Sequence, residues 1–227
     1  MRYEKTVVGS FLSRPNRFIA YVSVNGETVV CHVKNTGRCK ELLTDGATVF
    51  LEAAQNQNRK TPYDLIAVYK GDKLINMDSQ APNRAMGEWL AASGYFGNVT
   101  SLIPEYRYGD SRLDFYLENS NGERIFVEVK GVTLERDGVV SFPDAPTERG
   151  IKHLRELAHA VEEGYRACVF FVIQMEDCAY FTPNRATHLA FAEALAEAKH
   201  SGVEIYAVNC FVSENEMRIR EFVEVRL

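Results

Sequence analysis

The first eighty residues alternate short β-branched or aromatic runs with turn signals. Lys5–Val8, Phe18–Val24, Glu27–Val33, Ala47–Glu52 and Leu65–Tyr69 predict strands. Asn25-Gly26, between the second and third runs, is a strong tight-hairpin signal, because such a turn needs positive φ at both central positions. Arg38–Leu43 predicts one helical turn, closed at Asp45-Gly46. Five short strands with one such interruption fit a small barrel of OB-like size.

Beyond Gln80 the period changes. Ala81-Pro82-Asn83 opens a predicted helix over Arg84–Ala92, stopped at Ser93-Gly94. Three strand-like runs follow, Thr100–Arg107, Arg112–Glu118 and Arg124–Val132, joined by turns at Gly109-Asp110 and Asn121-Gly122. A helix from about Thr147 to Glu163 places Ile151, Leu154, Leu157, Ala158 and Val161 on one apolar stripe, with Thr147 as N-cap and Gly164 as stop. Ala167–Ile173 is continuously apolar, as in a strand covered on both faces. A loop at Phe181–Asn184, a helix over Ala186–His200, a strand at Glu204–Asn209 and an edge-like strand at Arg218–Val225 complete the pattern. The expected architecture is therefore an OB-like barrel, residues 1–80, followed by a mixed α/β domain, residues 81–227.

Composition changes this picture little. No apolar run approaches the roughly 20 residues needed to span a bilayer, so no membrane partner is expected. Met1-Arg2-Tyr3-Glu4-Lys5 leads into a β-like run rather than a signal-peptide core, which predicts a cytoplasmic protein. The five cysteines are scattered without a C-x-x-C pair, so neither a zinc site nor a disulfide framework is indicated. Charge is more informative. The net −5 divides into +3 over residues 1–80 (11 Lys/Arg against 8 Asp/Glu) and −8 over the remainder (15 against 23). A basic module joined to an acidic one suits an enzyme that grips phosphates with its first part and concentrates carboxylates in its second. Arg14, Arg17, Lys34, Arg38, Lys40, Arg59 and Lys60 are the candidate phosphate contacts, with Phe11, Phe18 and Tyr63 as candidate base-stacking rings.

The candidate chemistry lies in Arg112-Leu113-Asp114-Phe115 and Val127-Glu128-Val129-Lys130-Gly131. Neighbouring hairpin strands can bring Asp114 beside Glu128. Glu128 and Lys130, two apart on one strand, point to the same face. Burying two carboxylates on an apolar sheet is costly unless something neutralises them. A divalent cation held by Asp114, Glu128 and the Val129 carbonyl would do so, and Mg²⁺ or Mn²⁺ suits that oxygen set. Lys130 could then orient the attacking water or neutralise charge on phosphorus.

The order helix, strand, strand with Asp, strand with Glu-x-Lys, helix, strand resembles the restriction-endonuclease-like nuclease core. Four segments resemble the sugar fermentation stimulation protein family: His32–Arg38, Ser111–Phe115, Val127–Thr133 and Phe142–Leu154. The resemblance implies Mg²⁺ binding by Asp114 and Glu128, catalysis by Lys130, and DNA as partner. It also implies a further Glu from the first helix, where Glu88 stands, with Glu105 on the following strand as second candidate. In related nucleases a polar residue of the next helix reaches the site. Lys152 and His153 are the candidates, with Arg149 as a phosphate contact, and these three share a polar face with Glu156. The implied activity is metal-dependent hydrolysis of DNA phosphodiesters. The rival is a non-catalytic DNA-binding regulator of sugar (maltose) metabolism genes. The intact Asp114, Glu128, Lys130 set and the lack of a helix-turn-helix signal favour the enzyme. A homodimer is left open.

Overall fold

The computed structural model describes residues 1–35, 37, 39–56 and 58–227. Its first part is built from β1 (Thr6–Asn16), β2 (Ile19–Val24), β3 (Glu27–Val33), β4 (Thr48–Ala53), β5 (Tyr63–Lys70) and β6 (Lys73–Asn76). β1 pairs antiparallel with β2 and β4, and a parallel pairing of β3 with β5 closes five of the strands into a barrel. β6 adds to β5 outside the ring. β1 is longer than its apolar pattern suggests because it bends: its register with β2 shifts at Phe11/Ser13 and again at Ser13/Asn16. Gly9 permits the close approach there, since a Cβ would stand 2.5 Å from Val22 Cγ1. The expected helical turn is present as a single turn, in which the amides of Leu42 and Leu43 donate to the Cys39 carbonyl at 3.2 and 2.9 Å. Arg38 itself lies outside the described residues. Leu42 and Leu43 at its end pack into the barrel core.

The second part comprises α1 (Ala81–Ala92), β7 (Val99–Tyr108), β8 (Ser111–Asn119), β9 (Arg124–Val132), β10 (Leu134–Arg136), β11 (Val139–Phe142), α2 (Glu148–Glu162), β12 (Arg166–Ile173), β13 (Tyr180–Pro183), α3 (Leu189–His200), β14 (Glu204–Val212) and β15 (Met217–Val223). The main sheet runs β15-β14-β12-β9-β8-β7, parallel through β9, β12 and β14 and antiparallel at both edges. α1 covers one face, packing Ala85, Met86 and Leu90 with Val127, Val129 and Phe170. α2 and α3 cover the other, where Leu154, Leu157 and Leu195 join Phe126, Val169 and Phe171. That two-sided cover is why β12 is apolar at almost every position. β10, β11 and β13 form a small separate sheet. Strands of three or four residues carry too little periodicity to read from sequence.

Two helix starts differ from expectation. α1 begins at Ala81, because Pro82 tolerates a first turn and Asp78 Oδ1 accepts the Gln80 amide at 2.9 Å just before it. α3 begins only at Leu189, because Asn184 Oδ1 accepts the Thr187 amide at 3.2 Å and holds a turn there.

Barrel and sheet share one core. Val68, Ile75 and Met77 lie in the same buried cluster as Phe171, Ile173 and Met175. Polar groups at the seam are satisfied across it. The buried Gln174 amide donates to Asn76 O, Asn76 Oδ1 and Asp78 O at 3.0, 3.0 and 3.1 Å. Gly131, directly after Lys130, is required by the same crossing, since a Cβ would meet Gln174 Oε1 at 2.7 Å and Pro82 Cγ at 2.8 Å.

Candidate metal centre

Phe115 pairs with Val127 across β8 and β9, so the next register position sets Asp114 beside Glu128. Asp114 Oδ2 accepts the Val129 amide at 2.7 Å, and its Oδ1 accepts Asn83 Nδ2, also at 2.7 Å. Glu128, 2% exposed, accepts on Oε1 from Lys130 Nζ at 2.6 Å and from His153 Nδ1. Its other oxygen, Oε2, is buried with no hydrogen-bond partner. Arg149 Nε donates to His153 Nε2 at 3.3 Å. That contact occupies the ring nitrogen remote from Glu128 and leaves Nδ1 to donate to Glu128.

Burial, followed by the neighbouring Glu128 charge, pushes the Asp114 carboxyl up to about 6, against the pull of the Val129 amide, Lys130 and Asn83. Glu128 goes the other way: burial raises it, but the His153 hydrogen bond and the Lys130 charge more than offset that and hold it below the usual range. One carboxylate is thus held charged by its hydrogen-bonding partners and the other is disfavoured as an anion. An orphaned buried oxygen and an underneutralised carboxyl are what a bound cation would resolve. Among the described residues no three His, Cys, Asp or Glu side chains form a ready metal cluster. A cation here would therefore rest on two carboxylates completed by neutral oxygens and water. That donor set suits a hard, oxygen-seeking divalent cation.

The cavity at these groups, about 480 Å³, is lined by Asp114, Glu128, Val129, Lys130, Arg149 and His153. Asn83, Arg84 and Glu105 also reach it. Two predicted members do not. Glu88 lies about 140° around α1 from Asn83, and its carboxylate instead accepts from the Met1 ammonium at 2.7 Å. Asn83 takes the place at the site expected for Glu88. The sequence signal there read only as a helix opening, so the residue was missed. Lys152, about 100° around α2 from His153, reaches the Asp110 carbonyl at 3.2 Å and Glu156 at 3.7 Å, outside the cavity.

The barrel's cations also sort differently than expected. Lys34 is not a groove cation: its ammonium lies among Asp78, Asp64 and Glu52 at 3.3, 3.4 and 3.7 Å. Burial pulls its pKa down, but those carboxylates carry it above the ordinary range. Arg59 is likewise tied to Asp64 at 2.6 Å. Arg14 donates to the carbonyls of Asn35, Arg17 and Gly37 at 2.7, 2.8 and 3.0 Å. It lines, with Arg17 and Lys40, an open cavity of about 650 Å³ on the barrel. Phe11 is buried at 4% exposure and belongs to the core, whereas Phe18 is half exposed with the Arg17 guanidinium 5.5 Å from its ring centroid.

No helix among the described residues is long and apolar enough to cross a membrane. A model described as the SfsA N-terminal OB domain matches residues 12–77, and one described as the sugar fermentation stimulation protein RE domain matches residues 80–216. Sugar fermentation stimulation protein homologs from Desulfitobacterium hafniense and Clostridium beijerinckii are 56% and 53% identical, covering 100% of this chain and 99% and 100% of theirs. The solved structure of Pyrococcus furiosus SfsA in complex with Ca²⁺ is 28% identical, with a TM-score of 0.90 over 100% of this chain and 98% of that one. With both halves matched and relatives of this identity along its whole length, the chain belongs to the sugar fermentation stimulation protein family.

Proposed function

We propose that this chain binds DNA and hydrolyses its phosphodiester bonds in the cytoplasm, using Mg²⁺ or Mn²⁺ held by Asp114, Glu128 and the Val129 carbonyl. The observation that carries the reading is Glu128 Oε2, buried without a partner beside an Asp114 carboxyl raised to about 6. The family relative crystallised with Ca²⁺ supports it, since Ca²⁺ seeks the same hard oxygen donors.

A divalent cation at these carboxylates supplies Lewis-acid polarisation of a phosphate oxygen and lowers the pKa of a bound water. The protein's own groups do the rest. Lys130 Nζ, 2.6 Å from Glu128 Oε1, is poised to meet charge that grows on phosphorus. Arg149 and Arg84 at the cavity are placed to bind flanking phosphates. His153 acts as a positioning residue, donating to Glu128 and holding it charged and oriented. The barrel cavity with Arg17 and Lys40 supplies further phosphate contacts.

The test is incubation of the purified chain with labelled single- and double-stranded DNA, with Mg²⁺, with Mn²⁺ and with chelator. Cleavage that appears with metal and disappears with chelator is expected. Tight binding without cleavage under either metal would overturn the catalytic reading in favour of a DNA-binding regulator, and absence of binding would overturn both.

A further inference from the structure

A second cavity opens between the end of the barrel and the β10–β11 hairpin, and the cation reading does not use it. It holds about 130 Å³, and its lining includes Ser79, Thr133, Ser141, Phe142, Asp144 and Gln174. It adjoins the metal site: Ser79 lines both cavities, and Gly131 on its wall directly follows Lys130. Gln174 is 2% exposed. All three partners of its amide nitrogen are acceptors, which fixes Nε2 toward Asn76 and Asp78. Its oxygen Oε1 therefore lies on the other side, beside Gly131, where no described residue donates to it. A buried acceptor left in this state calls for a donor from outside the chain. At the mouth stands the exposed Asp144. A Cβ on Gly37 would meet its Oδ2 at 2.6 Å, so the barrel bounds the mouth as well. Phe142, backed by Phe191 and Phe171 at centroid distances of 5.2 and 5.6 Å, adds an aromatic wall.

We propose that this cleft reads a guanine base of the DNA strand bound at the neighbouring cation site. The proposal rests on the DNA reading above. Gln174 Oε1 and the Asp144 carboxylate are both acceptors, so the cleft selects a base edge rich in donors. Of the four DNA bases, only guanine sets two neighbouring donor groups, N1–H and the N2 amine, on one edge. Asp144 can accept N1–H and one N2 hydrogen as a charge-assisted pair, and Gln174 Oε1 the other N2 hydrogen. A hydroxyl of Thr133 or Ser141 can donate to O6, and the Phe142 ring offers a stacking face. Thymine places a carbonyl on each side of its single N–H and would turn oxygen toward the Asp144 carboxylate. The volume lies well under the roughly 300–1,000 Å³ of a whole-ligand pocket, as suits one base rather than a nucleotide.

The experiment measures binding of fluorescein-labelled oligothymidylates to the full-length chain in chelator. The strands are about eight nucleotides long, within the roughly 4–16 that an OB fold covers. One central thymine is replaced in turn by guanine, adenine, cytosine or hypoxanthine, the last being guanine without its N2 amine. The guanine strand should bind about tenfold more tightly than the all-thymine strand, the discrimination expected of one good base contact. Hypoxanthine, a change made on the ligand and so blind to folding, should lose most of that gain. Asp144→Asn, a size-preserving change at an exposed position, should lose the guanine preference while binding the all-thymine strand as wild type does. Equal binding of all the strands would overturn the inference, leaving the cleft to ordered water and the DNA reading intact. A guanine preference unaltered in Asp144→Asn would overturn it too, by locating base reading elsewhere. A chain that binds none of the strands would overturn the DNA reading as well.

Discussion

At the scale of single residues the site is an arrangement of charges that do not fully neutralise one another. Lys130 is one of several cations that can face phosphate, so Lys130→Ala should leave DNA affinity nearly unchanged. Its contribution belongs to the transition state, where loss of one donor typically costs about 10²–10³ in rate. Parallel binding and cleavage assays would check this, and equal cleavage by the variant would place the active site elsewhere. Asp114 gives a signed pH prediction. Its folded pKa of about 6 lies above the unfolded value of roughly 3.9, so the metal-free fold keeps this contribution below the unfolded pKa and loses it as pH rises through about 6. A cation replaces the proton at high pH but must displace it at low pH. Mg²⁺ should therefore raise the melting temperature more at pH 7.5 than at pH 5, and Asp114→Asn should abolish the difference while stabilising the metal-free protein at pH 7.5. Equal shifts at both pH values would sink this account.

At the scale of elements, the site depends on how α1, α2 and the β8–β9 pair are anchored. Thr147 Oγ1 accepts the Gly150 amide at 3.1 Å at the start of α2, the helix that delivers Arg149 and His153. Removing this cap with Thr147→Ala should cost about 1 kcal/mol, readable by denaturant titration. The lead-in to α1 is held by Asp78, fully buried, whose Oδ2 lies 3.3 Å from Lys34 Nζ. Lys34→Met should destabilise the fold by about 3 kcal/mol, because buried carboxylates lose a partner. A groove lysine would cost almost nothing, so the unfolding free energy separates the two roles. The sequence marked α2 well, since Thr147, the apolar stripe and Gly164 all agree. It missed β6, β10, β11 and β13: β10 and β11 form a hairpin too short to show a period, and β13 is fixed by pairing with β11 far away in the chain.

At the scale of the whole molecule, the +3 of residues 1–80 overstates the cations available to a ligand. Lys34 and Arg59 are spent on Asp64 and its neighbours, and Arg14 on backbone carbonyls. Arg17 and Lys40 line the open barrel cavity. Replacing both with alanine should flatten the log–log salt dependence of single-strand binding by roughly 1.4, from about 0.7 per phosphate contact. An unchanged slope would locate binding away from the barrel. Arg14→Ala should act mainly through stability.

The sequence alone determined what depends on local periodicity and strand parity. The five barrel strands, the three helices and the shared face of Glu128 and Lys130 follow from spacings of two and of three to four. The Asp114 and Glu128 juxtaposition followed from a hairpin register. Tertiary structure decided what depends on rotation about an axis and on long-range partners. A helix position fixes a face only relative to its neighbours, so Asn83 rather than Glu88, and His153 rather than Lys152, reach the cavity. The state of a charge depends on what surrounds it in three dimensions. Only packing therefore turned Lys34 into an internal counter-ion, raised Asp114 and left Glu128 Oε2 without a partner.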